Sequence, residues 1–136
     1  MKPIEEIFPL LTVPKKIVIV PHQKPDADAM GASLALFHFL KQFGHSITVV
    51  SPTNWAGWIN WMPGCKDVID YELQKEQAEK ILNDADWLFC LDFNVLNRAK
   101  NLGPKLERLA CTKILMDHHR EPEEQSFDYG ISDAAK

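Results

Sequence analysis

The chain has 136 residues, of which 46% are apolar and 25% charged, and its formal net charge is −4. That length supports one domain with a real core, and the acidic balance excludes a generic basic surface for long duplex DNA. No run of about 18 apolar residues exists to cross a membrane. The opening MKPIEEIFPLL has no cleavable-signal pattern, so a cytoplasmic location is expected. Cys65, Cys90 and Cys111 are odd in number and show no C-x-x-C spacing, and they read as reduced, small apolar residues.

Ile4 to Leu11 reads as a short lead-in helix with Ile4, Ile7, Phe8 and Leu11 on one face. Lys16 to Pro21 comes next as a strand, its β-branched run Ile17 to Val20 ended by Pro21. A loop then presents His22, Asp26 and Asp28 within seven residues, and a helix is expected from about Ala29 to Phe43. Its inward stripe is Leu34, Phe37 and either Leu40 or Lys41, and Gly44 is placed to stop it. Ser46 to Val50 is a second apolar strand. Strand, helix and strand with short connections predict parallel pairing and a right-handed crossover.

Ser51 to Gly64 is loop-like and carries Trp55, Trp58 and Trp61, spaced by three. The plainer reading is a short helix packing its indoles on the domain. The sharper one is a stacking surface for a base. Lys75 to Asp84 reads as a polar helix with Ala78, Ile81 and Leu82 facing inward. Trp87 to Leu91 is a continuous apolar run, as expected of a strand covered on both faces. Asn94 to Leu102 and Pro104 to Ala110 read as helical segments, and Lys113 to Met116 as a further strand. His38 and His45 read as partly exposed structural residues.

Three of these strands deliver polar residues at their carboxyl ends: His22, Asp26 and Asp28; then Asp92; then Asp117, His118 and His119. In open α/β sheets, sites form outside the carboxyl ends of the strands. Two carboxylates held close repel, and a cation relieves the repulsion. Mixed oxygen and nitrogen donors without thiolate point to Mn²⁺, Mg²⁺, Fe²⁺ or Co²⁺ rather than a structural zinc. The ligands are too many for one ion, and a carboxylate such as Asp92 would suit a bridge between two ions about 3.5–4 Å apart. Each residue alone has a plainer reading. Asp28 or Asp92 would serve as a helix cap, and His22 as an ordinary loop histidine.

His22-x-x-x-Asp26-x-Asp28, a lone Asp92 after an apolar strand, and Asp117-His118-His119 resemble the first three motifs of the DHH phosphoesterase superfamily. The segments that carry the resemblance are IVIVPHQKPDADAMGAS, LDFN and ILMDHHR, between about residues 15 and 120. WMPGCKDVI and CLDFN look most like its branch of oligoribonucleases (nanoRNases) and pAp phosphatases.

The resemblance implies an α/β fold, a three-layer α/β/α domain with a mainly parallel sheet. It implies two Mn²⁺ ions, with Mg²⁺ or Co²⁺ as substitutes. His22 and Asp26 would hold one, Asp28 and His118 the second, and Asp92 would bridge them. Asp117 would orient the ligating histidine, and His119 would contact the substrate phosphate. A water activated by the metals would attack phosphorus in line. Gly31 fits either a close backbone approach or helix packing, and Arg98 and Arg120 are candidates for phosphate or for an ordinary surface role.

The implied substrates are short RNA and the nucleotide pAp, with no membrane partner and a homodimer compatible with the full-length protein. Alternatives on the same metals are a cyclic dinucleotide, pyrophosphate or polyphosphate. A non-catalytic nucleotide- or metal-binding module is a further alternative. Ala27 and Ala32 stand where many members have Gly and Ser. The family's fourth motif, an aspartate beyond the triplet, and its C-terminal substrate-binding domain are not found. Asp128 and Asp133 lie too close to the triplet to serve, and Ser132 reads as the cap of a helix just starting. The expectation is therefore an N-terminal domain, residues 1–136, incomplete at its C-terminal end, and weakly active or inactive by itself.

Overall fold

The computed structural model describes residues 2–91, 102–117 and 127–132, with the backbone alone for Asp117, Ile131 and Ser132. Seven strands form one sheet: β1 (Lys2–Pro3), β2 (Lys16–Pro21), β3 (Ser46–Ser51), β4 (Ile69–Asp70), β5 (Trp87–Leu91), β6 (Thr112–Asp117) and β7 (Tyr129–Ser132). Their order is β1-β7-β6-β5-β2-β3-β4, and every pairing is parallel. Among the described residues three α-helices flank the sheet: α1 (Ala27–Lys41), α2 (Lys75–Asn83) and α3 (Gly103–Arg108). The α/β expectation holds.

The alternation of a pleated strand sorts the core into two layers. Val18 and Val20 of β2 face the side that holds Ala78 and Leu82 of α2 and Leu106 of α3. Ile17 and Ile19 face the other side, with Met30, Leu34 and Leu40 of α1. All five residues of β5 are buried, because helices cover both faces of a central parallel strand.

Strands β2 and β5 have the expected boundaries. The lead-in segment Ile4–Thr12 is a 3₁₀ helix that buries Ile7 and Leu11 but leaves Phe8 outward. Pro9 inside it has no N–H to give to a helical ladder. The inward residue near the end of α1 is Leu40, not Lys41, and Gly44 at φ +83° turns the chain away from the helix. Helix α3 ends at Arg108, two residues earlier than expected. Strands β1, β4 and β7 were not expected. Ser132 closes β7, pairing with Asp117. Most of the helical segment expected over Asn94 to Leu102 lies outside the described residues, as does the helix expected to start after Ser132.

Candidate functional site

The chain reverses direction across the sheet between β2 and β5. From β2 it proceeds outward to β3 and β4, then returns to β5 on the other side. Such a switch point opens a crevice at the carboxyl ends of the two strands. Register makes those ends level: Pro21 pairs with Leu91, and Leu91 with Met116. The next residues in the chain are His22, Asp92 and Asp117.

His22 is half-buried and comes directly after β2. Its Nδ1 lies 2.6 Å from the Gln23 carbonyl oxygen. A carbonyl only accepts, so Nδ1 donates this hydrogen bond. Metal-binding histidines are commonly oriented in this way, by a carbonyl on the nitrogen away from the ion. Lys24 then sits at φ +48°, a left-handed backbone that costs a non-glycine residue free energy. The Lys24 N–H donates to Thr53 Oγ1 at 2.6 Å, which ties this loop to the segment after β3.

Asp26, rather than Asp28, caps α1. The Ala29 N–H donates to Asp26 Oδ1 at 2.8 Å. The helix begins at Ala27, two residues before the expected start, and Asp28 falls in its first turn, where a carboxylate suits the helix dipole. Both carboxylates are exposed. The cap engages Oδ1, and monodentate ligation by Asp26 needs only Oδ2. An added Cβ on Gly31 would meet no atom within 4 Å among the described residues.

Asp92, Arg98, His118, His119 and Arg120 lie outside the described residues, and Asp117 is placed only as the last backbone position of β6. Among the described residues no group of three or more His, Cys, Asp or Glu could hold a metal ion. His22, Asp26 and Asp28 thus share one loop and helix start without making a ligand set by themselves. Their hard oxygen and imidazole donors are of the kind that would suit a divalent ion.

The other polar candidates are structural. Asp128 sits at the opposite, amino-terminal end of the sheet, where its Oδ2 accepts from the Lys113 N–H at 2.8 Å. His38 is exposed, with Nε2 3.0 Å from the Pro63 carbonyl oxygen. His45 is buried, not partly exposed as expected, and its Nδ1 accepts from the Lys15 N–H at 3.0 Å. Burial is the main cause that holds its pKa below the usual histidine value. The Lys15 charge lowers it further, against a rise from the Leu11 carbonyl. Cys65 and Cys90 are buried free thiols and Cys111 is a partly buried one, and burial raises the pKa of all three. That environment disfavours thiolate chemistry.

The tryptophans depart most from expectation. Gly57–Trp61 is a 3₁₀ helix that buries Ile59, while Trp58 and Trp61 are 66% and 72% exposed. Trp55 is half-buried, and its Nε1–H donates to Asn60 Oδ1 at 2.8 Å.

Residues 16–132 match the family model described as DHH family, N-terminal domain. No curated protein matches the sequence closely. One solved structure similar to this chain is an exopolyphosphatase-related protein from Bacteroides fragilis, at 37% identity and a TM-score of 0.89. The match covers 95% of this chain and 38% of that one, so the chain spans well under half the length of its structural relative. Among the described residues no helix is long and apolar enough to cross a membrane. The chain belongs to the DHH family, whose N-terminal domain its residues 16–132 match.

Proposed function

We propose that the full-length protein is a two-manganese phosphoesterase that hydrolyses short oligoribonucleotides and pAp. The observation that carries this reading is the level register of Pro21, Leu91 and Met116, which sets three motif-bearing strand ends side by side at the switch point. In this reading His22 and Asp26 would hold one ion, Asp28 and His118 the other, and Asp92 would serve both; Mg²⁺ or Co²⁺ would substitute. The ions, when bound, would lower the pKa of the attacking water and offset charge on the phosphate. The chain's own residues do the rest. The Gln23 carbonyl fixes the His22 ring, and the Asp26 cap holds the start of α1 in place. Asp117 would orient the ligating histidine. His119 would contact the phosphate, with Arg98 and Arg120 as further candidates for it.

Polyphosphate or pyrophosphate hydrolysis is the second reading, and the name of the Bacteroides fragilis relative favours it. One incubation separates the two: full-length protein with Mn²⁺ and a dinucleotide, pAp, cyclic di-AMP or pyrophosphate. Turnover of the dinucleotide and pAp is expected. Turnover of pyrophosphate alone would overturn the substrate assignment. Turnover of none of them would favour a binding module.

A further inference from the structure

An open cavity of about 350 Å³ adjoins the loop after β2, lined by Lys24, Pro25, Asp26, Trp55, Trp58 and Ile59, among others. It shares Lys24 and Asp26 with the candidate metal loop. Its walls are mainly apolar, and Trp58 leaves two-thirds of its surface exposed rather than packing on the core. Exposing that much indole to water is unfavourable unless something covers it. Trp55 is fixed from behind by its hydrogen bond to Asn60, so this wall is preorganised. On the side formed by Lys24, its N–H donates to Thr53 Oγ1, which ties that edge to the segment after β3. Side chains three apart in a 3₁₀ helix lie one above the other. Trp58 and Trp61 therefore lie along one side of it, but only Trp58 lines the cavity.

We propose that Trp55 and Trp58 form a stacking site for the nucleobase of a nucleotide whose phosphate lies at the metal loop. This inference rests on the phosphoesterase reading. A base is the occupant that matches the surroundings. It brings a flat apolar face to the indoles, and the phosphate attached to it can reach the loop of Lys24 and Asp26 on the same cavity wall. An inorganic polyphosphate has no apolar surface to cover Trp58. Stacking on an aromatic face tolerates any base, so the site would favour nucleotides as a class without selecting sequence.

The test uses full-length protein with Mn²⁺ and compares a dinucleotide with pyrophosphate, which has no base. Trp58→Ala is expected to raise KM for the dinucleotide at least tenfold and to leave any pyrophosphate turnover unchanged. Trp58→Phe should retain most of the affinity. Trp61→Ala, from the same 3₁₀ helix but outside the cavity, should match wild type. An unchanged dinucleotide KM in Trp58→Ala, or equal losses on both substrates, would overturn the proposal.

A second measurement is independent of turnover: quenching of tryptophan fluorescence by AMP without metal. Quenching that is lost in Trp58→Ala supports the stacking site even if no phosphoester is cleaved, in which case only the enzymatic reading fails. Pyrophosphate turnover with no AMP quenching overturns the stacking site and leaves phosphohydrolysis standing.

Discussion

The two ends of the sheet leave the same residue types in different settings. At the amino-terminal end, ionisable side chains take up backbone groups that a strand start leaves open. The Lys16 N–H donates to Asp86 Oδ2 at 2.9 Å, the Lys113 N–H to Asp128 Oδ2, and the Lys15 N–H to His45 Nδ1. At the carboxyl-terminal end, Asp26 and Asp28 stay exposed, and His22 has its ring set by a neighbouring carbonyl. One end is closed on itself. The other leaves two carboxylates exposed beside a loop that holds Lys24 in a left-handed backbone, although Asp26 also caps α1. The residue type therefore says little until the end of the strand it occupies is known.

Substitutions should separate the ends cleanly. The largest effect is expected for Asp92→Ala in the full-length protein. Losing a bridging ligand removes several kcal/mol of transition-state stabilisation, on the order of a thousandfold in rate, with little change in melting temperature. Unchanged turnover would sink the two-metal mechanism.

Asp26 caps α1, and under the proposed function it would also hold a metal ion; two variants divide these roles. Asparagine caps helices about as well as aspartate. Asp26→Asn should therefore keep the melting temperature and weaken Mn²⁺ binding by about tenfold or more, measured by calorimetric titration. Asp26→Ala should lose metal affinity and also about 1 kcal/mol of stability. Equal stability of the two variants would argue against the capping role.

The opposite pattern is expected at the closed end. His45→Ala strands the Lys15 N–H and should cost about 1–3 kcal/mol in chemical denaturation while sparing turnover at low temperature. Burial holds the His45 pKa below its ordinary value of about 6.5. The unfolded chain then binds the proton more readily than the folded one. Stability should fall as pH drops below about 6.5 towards the lower folded value, and His45→Gln should flatten that part of the profile. A profile unchanged by the substitution would rule out His45 as the titrating group. Asp86→Ala should have the smallest effect, about 0.5–1.5 kcal/mol for one backbone hydrogen bond, again without kinetic consequence.

Pattern strength decided which elements were legible in the sequence. The runs Ile17 to Val20 and Trp87 to Leu91 are long, apolar and bounded, and they form strands over the residues expected. Ile69–Asp70 is only two residues long and exists through its pairing with Val50 and Ser51, which no local pattern announces. Tyr129–Ser132 contains Gly130, a poor strand former that tertiary pairing overrides. Asp26 and Asp28 are equally good caps, so composition does not choose between them; the helix start at Ala27 does.

His45 comes after a helix-ending glycine and looked like a loop residue. Its burial comes from the lead-in segment that reaches across to it, thirty residues away at Lys15. Trp58 was expected to pack because large aromatic residues usually do. The signal that it would not is that Ile59 takes the inward position of so short a 3₁₀ helix. At the site itself, His22 directly follows β2 as expected, whereas Asp28 falls in the first turn of α1 and not in the loop.

The buried ladder between β2, β5 and β6 has a further consequence. In a parallel sheet each residue advances the chain by about 3.3 Å. A slip of one residue between two strands would displace a donor at a strand end by that distance and swap its apolar neighbours between the two core layers. The pairs Val18–Leu88, Ile19–Phe89, Cys90–Leu115 and Leu91–Met116 therefore act as a ruler for chemistry that none of them touches. Core substitutions that leave the protein folded but loosen this ladder should show first as lost positional accuracy among the ligands, well before they show as unfolding.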